Sequence, residues 1–175
     1  MLIFRSTPCD EGFYTNITMT DECFPCPAGF ACDETNISDF SSFACEAGYW
    51  CDGAQKFPCS IGFYNPRTHG NDDKDCLPCP AGYFCSEERI TALEDRFLCP
   101  AGFFCEKNTQ SPERCPVGNY CPELPASEAG NSPQICPAGT KCLDLGISDV
   151  TTAERICDAG KYCKAGITAD SDKGL

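Results

Sequence analysis

Large aliphatic side chains are scarce in this sequence. Leu, Ile, Val and Phe supply 31 of 175 residues, about 18%, against a net charge of −13. Few apolar residues with a high net charge cannot assemble one large core. No apolar run approaches the ~20 residues of a membrane-crossing helix, so no membrane span is expected in this segment. The opening "MLIF" meets Arg5 at once and is too short for the apolar stretch of a secretory signal. Basic residues are outnumbered, 13 Lys and Arg against 26 Asp and Glu. Phosphates would be repelled, so nucleic acid is not an expected partner. The only histidine, His69, sits in the polar stretch "NPRTHGN". No Ser/His/Asp set and no phosphate-binding glycine loop can be assembled, so neither an enzyme nor a cofactor is expected. Sustained helical periodicity is missing too; "SEERITALEDRF" (Ser86–Phe97) is the best helix candidate.

Cysteine is what the chain has instead. There are 18, about 10% of the residues, the level of a disulfide scaffold, and an even number allows every thiol to pair. Persistent disulfides require an oxidising compartment, which points to a secreted or cell-surface protein.

The cysteines fall in a repeat. Cys-x-x-Gly starts at Cys9, Cys26, Cys45, Cys59, Cys79, Cys99, Cys115, Cys136 and Cys157. In seven of these nine modules a second cysteine follows six positions later, at Cys32, Cys51, Cys85, Cys105, Cys121, Cys142 and Cys163. In the other two, Thr15 and Asn65 hold that position, and the second cysteine comes late, at Cys23 and Cys76. A longer period overlies this one and divides the chain into three cysteine-rich blocks, 1–58, 59–114 and 115–175. The third block ends on an unmatched pair, which implies an array continuing past Leu175.

Each module has a readable local physics. Proline presets φ for the second position of a turn and glycine is favoured at the fourth, so Cys-Pro-Ala-Gly is a turn signature. Thirteen of the 19 aromatics occupy the two positions after the glycine. Aromatics carry the most apolar area per residue, and here they are expected to cover the disulfides. The fold class expected is small disulfide-rich repeats of turns and short β-strands, an elongated tandem array without a large core. Two pairing schemes use every cysteine. Both join Cys9 to Cys23 and Cys59 to Cys76. A local scheme closes each six-step module on itself. An interlocked scheme pairs Cys26–Cys45 with Cys32–Cys51, Cys79–Cys99 with Cys85–Cys105, and Cys115–Cys136 with Cys121–Cys142. The interlocked scheme is the preferred expectation, because it staples the polar segments that the local one leaves loose.

The stretches "CDEGFY…CFPCPAGFAC" (Cys9–Cys32) and "CSIGFY…CLPCPAGYFC" (Cys59–Cys85) resemble the ephrin-receptor-like cysteine-rich repeats. They are similar in layout to tumour-necrosis-factor-receptor cysteine-rich modules. The resemblance implies an extracellular spacer, adhesion surface or fibre component and implies no enzyme.

Other motifs admit sharper readings. Cys23-Phe-Pro-Cys26 and Cys76-Leu-Pro-Cys79 have the spacing of a redox pair or half a zinc knuckle, but a helix start or two converging pairs would be required. Structural disulfides are the preferred reading, with no metal. "NDDKD" (Asn71–Asp75), the densest acidic cluster, reads as a solvated loop tip. Asn16-Ile-Thr18 and Asn36-Ile-Ser38 are N-glycosylation sequons. Together these features predict a rod-like block of a surface fibre, appendage or coat, with glycans attached, that self-associates or binds other extracellular structural proteins. The alternative is a receptor or adhesion ectodomain for a protein ligand.

Overall fold

The computed structural model describes residues 7–123 and 132–168. The chain divides into two compact units, Met1–Pro78 with Glu87–Ala92, and Cys79–Ser86 with Leu93–Leu175. Both are built from turns and two-stranded antiparallel hairpins. In the first unit β1 (Phe13–Tyr14) pairs with β2 (Phe24–Pro25), β3 (Tyr49–Cys51) with β4 (Lys56–Pro58), and β5 (Phe63–Tyr64) with β6 (Leu77–Pro78). In the second unit β7 (Phe103–Phe104) pairs with β8 (Glu113–Arg114), and β9 (Asn119–Tyr120) with β10 (Gln134–Ile135). There is no α-helix among the described residues, only 3₁₀ turns such as Phe40–Phe43 and Asp95–Phe97.

One register runs through all of these pairings. The residue after a turn glycine faces the residue before the next module's first cysteine, as in Phe13 with Pro25, Tyr49 with Pro58 and Phe103 with Arg114. Where no hairpin forms, a single bridge keeps the rule: Phe30–Ala44, Tyr83–Leu98 and Thr140–Ile156. Pro25, Pro58 and Pro78 sit in two-stranded edges, where the missing N–H is tolerated.

The turn itself lies one residue further along than Cys-Pro-Ala-Gly implies. In all nine modules the N–H after the glycine donates to the carbonyl of the residue after the cysteine, at 3.0–3.3 Å. Each turn thus spans the four residues after the cysteine, Pro-Ala-Gly-Phe in the Cys26 and Cys99 modules, with glycine third rather than fourth. All nine glycines have φ between 80° and 92°, while none of the residues before them has positive φ. That combination is a type II turn, whose third position demands the left-handed region.

The turn brings the ends of each six-step module together, and this overturns the interlocked scheme. The bonds are local: Cys26–Cys32, Cys45–Cys51, Cys79–Cys85, Cys99–Cys105, Cys115–Cys121, Cys136–Cys142 and Cys157–Cys163. Their Cα atoms are 5.8–6.3 Å apart, inside the range a disulfide spans. Cys9–Cys23 and Cys59–Cys76 bridge hairpins, as both schemes require.

The Ser86–Phe97 helix does not form. Arg89 takes a left-handed φ of 64° and Ile90 is buried in a bridge to Tyr64, so only Asp95–Phe97 closes a 3₁₀ turn.

Core is local as well. In the first unit Cys26, Cys32 and Ile37 are packed by Tyr14, Phe30, Phe40 and Phe43, with Phe40 edge-on to both Tyr14 and Phe30. In the second, Cys136, Cys142 and Ile147 are covered by Tyr120 and Val150.

Trypsin cuts after Arg89 and Arg96, between two six-step modules. A non-reduced tryptic map is therefore expected to release Cys79–Cys85 and Cys99–Cys105 in separate peptides. A peptide joining the two modules would refute local pairing.

Candidate functional site

The recurrent chemical feature is a backbone clamp between successive modules. The N–H of a turn glycine donates to the carbonyl of the residue at the next module's second-cysteine position, and that module's first cysteine donates its N–H to the same glycine's carbonyl. Gly82, for example, donates to Cys105 and accepts from Cys99, each at 2.9 Å. Gly12, Gly29, Gly48, Gly102, Gly118 and Gly139 do the same, at 2.7–3.0 Å. Where the two cysteines are bonded to each other, the glycine holds both ends of a closed ring.

A second pair of bonds reaches further along. The fourth or third residue after the second-cysteine position adopts a left-handed φ and donates its N–H to the preceding module's first cysteine. Asn36 donates to Cys9, His69 to Cys45, Arg89 to Cys59 and Asn108 to Cys79, at 2.7–3.1 Å and with φ of 63–69°. The carbonyl of the next residue then accepts from the preceding module's second-cysteine position, as Ile37 does from Thr15, Gly70 from Cys51 and Thr109 from Cys85. These bonds tie down the polar segments that interlocked bridges would have stapled.

Asn65 is the functional side chain that sequence reasoning misses. It stands where a cysteine would, and it is fully buried. Its Nδ2 donates to the Tyr49 carbonyl at 2.9 Å, and its Oδ1 accepts the Arg67 N–H at 3.0 Å. The amide thus ties this position to the preceding module, where a cysteine would close a ring within its own module. The signal that could reveal it is the substitution of the repeat position itself.

The other candidates resolve into structure. Cys23 is bonded to Cys9 and Cys26 to Cys32; Cys76 to Cys59 and Cys79 to Cys85. Each Cys-x-Pro-Cys pair therefore belongs to two different bridges. The His69 ring packs edge-on to Phe30, with Nδ1 3.0 Å from the Thr68 hydroxyl. In the acidic cluster Asp72 accepts the Lys74 N–H at 3.0 Å and Asp75 accepts the Asn71 N–H at 2.8 Å, so these carboxylates cap their own 3₁₀ turn. The Lys74 N–H, helped by a hydrogen bond with Asp73, holds the Asp72 carboxyl below its ordinary range, while that same bond and the Asp72 charge raise Asp73. Asn16 and Asn36 are both exposed, as are Thr18 and Ser38.

Shallow depressions mark the surface of the described residues. One of about 480 Å³ is lined by Phe104, Lys107, Thr109 and Glu113 among others, and one of about 210 Å³ by Trp50, Ser60, Phe63 and Asp73. Trp50 is stacked on Phe57 at 4.4 Å beside the smaller one.

No known family profile matches the chain, and no curated protein matches it either.

Asn65→Ala should leave the Tyr49 carbonyl without its Asn65 donor and open a small void, lowering stability by roughly 2–4 kcal/mol. Denaturant unfolding of the oxidised protein checks this; a loss below about 0.5 kcal/mol, the level of an ordinary surface change, would remove Asn65 from the framework. A carboxyl NMR titration should find Asp73 protonating above an ordinary aspartate and Asp72 below it. Since the Asp72 pKa is depressed on folding, its cap is present above the unfolded value and lost as pH falls through the folded one. Coincident titration of the two would contradict the hydrogen-bonded arrangement.

Proposed function

We propose that the chain is an extracellular structural repeat protein, a rod-like block of a surface fibre, appendage or coat, without enzymatic activity. The observation that carries this reading is the glycine clamp, repeated at seven junctions with main-chain atoms alone. A contact that asks nothing of the side chains can recur along an array of divergent modules, as in other repeat proteins. All 18 cysteines are paired, and no helix among the described residues is long and apolar enough to cross a membrane. Both facts are consistent with a secreted protein. The kinship to ephrin-receptor-like repeats belongs to the same proposal. So do N-glycans on the exposed Asn16 and Asn36, and partners that are further copies of this chain or other structural proteins of the surface.

Antibodies to the chain, applied to the intact cells that make it, should label extracellular fibres or coat. Peptides holding Asn16 and Asn36 from that material should lose mass on enzymatic deglycosylation. Label confined to the cytoplasm, or to dispersed surface molecules that capture a soluble ligand, would overturn the fibre reading.

A further inference from the structure

The sequons Asn16-Ile-Thr18 and Asn36-Ile-Ser38 share one pattern but sit in different settings. Asn16 and Thr18 are exposed, and Ile17 between them is 53% exposed. They lie in the loop that joins β1 to β2. The corresponding residues of the Cys59 module, Pro66, Arg67 and Thr68, are exposed as well, with the Cys45 module ahead of them. Openness therefore belongs to the late-cysteine loop itself.

Asn36 and Ser38 are also exposed, but Ile37 between them is only 5% exposed. It is buried with Cys26 and Cys32, and Tyr14, Phe30, Phe40 and Phe43 pack against the three. Main-chain bonds hold the same two residues. Asn36, at φ of 64°, donates its N–H to the Cys9 carbonyl at 2.9 Å, and the Ile37 carbonyl accepts from Thr15 at 3.0 Å. Ile37 also forms a parallel bridge with Tyr14. Ile90 and Ile147 are buried at the same place in later modules, so this burial is part of the framework.

Glycan transfer needs more than an exposed carboxamide. The transferring enzyme must hold the asparagine amide and the hydroxyl two residues on at once, so the tripeptide has to leave the surface as a unit. Asparagine Nδ2 then attacks C1 of an oligosaccharide carried on a lipid pyrophosphate. The N–C1 bond forms, the C1–O bond breaks, the lipid pyrophosphate departs and the amide gives up one proton. The Asn16 loop can present itself in this way without disturbing the core. Presenting Asn36 requires local unfolding that exposes Ile37 and breaks both main-chain bonds.

We propose that Asn36 accepts a glycan only before the Cys9 and Cys26 modules close, whereas Asn16 remains an acceptor in the folded protein. Formation of the Cys26–Cys32 ring, with which Ile37 is buried, ends the period in which Asn36 can be modified. A glycan already in place is compatible with the fold, because Asn36 itself stays exposed. This inference rests on the reading of both sequons as glycosylated and adds the order in which they are filled.

A purified oligosaccharyltransferase and a lipid pyrophosphate-linked oligosaccharide, supplied to the oxidised chain and to the chain held reduced, test it. Cleavage at Glu22 separates the two sites, and mass spectrometry gives the initial rate at each. Dividing the oxidised rate by the reduced rate, site by site, cancels the difference between Thr18 and Ser38 as acceptors. The ratio should be near one at Asn16. At Asn36 oxidation should slow transfer about a hundredfold, the effect of exposing one buried aliphatic side chain and breaking a hydrogen bond. A ratio near one at Asn36 overturns the proposal and leaves the glycan reading standing. A ratio at Asn16 as low as that at Asn36 also overturns it, since burial of Ile37 would not then separate the sites. No transfer to either site in the reduced chain defeats the glycan reading and this inference together.

Discussion

The turn glycine closes two hydrogen bonds on the cystine ring of the module that follows it, and the rest of the structure depends on this clamp. It works because three geometries coincide. The left-handed φ of the third turn position exposes the glycine N–H and C=O on one edge. The short strand after it brings the two cysteines within bonding distance. The disulfide then fixes the spacing of the two groups that the next glycine upstream must meet. Removing any one of the three leaves the other two without a register.

This division of labour explains why such small disulfide rings suffice. In the chain-entropy account, a loop closed about six residues apart contributes roughly 2 kcal/mol, less than the ~3 kcal/mol of a loop near 20 residues. The interlocked scheme would have constrained the unfolded chain more strongly. What the local scheme gives up in loop length, the main-chain ladder recovers in order. The polar segments are held by the left-handed residues and by the carbonyls of Ile37, Ile90 and Ile147, whose side chains are also among the few buried aliphatics. A segment that looks loose in sequence is therefore anchored at one backbone donor, one backbone acceptor and one buried side chain.

Much of this architecture is legible in the sequence. The Cys-x-x-Gly period, the late second cysteines, the aromatic cover and the absence of a large core follow from spacing and composition. Four things are not legible, each for a physical reason. The turn register reads one residue early because proline suits the residue before a type II turn's centre less visibly than it suits the centre itself; only the φ of the glycine decides. Disulfide connectivity is ambiguous because cysteine spacing does not report which backbone bonds already hold the intervening segment. Asn65 looks like a gap in the pattern, yet its buried amide bonds the Tyr49 carbonyl of the preceding module and the Arg67 N–H, a tie that cysteine spacing does not report. Ser86–Phe97 looks helical because local propensity ignores the burial of Ile90, which draws the backbone into a left-handed step at Arg89.

A junction made of main-chain atoms also bears on how the modules of a chain of net charge −13 pack on one another. Like charge spread over the surface opposes association in arbitrary orientations, and it does so more strongly where large faces meet. A junction of backbone bonds between modules involves few side chains and so incurs little of that repulsion. On this argument the acidity of the spacers and the neutrality of the clamp are two sides of one specificity: the charge discourages sideways aggregation, and the glycine clamp carries the register from module to module.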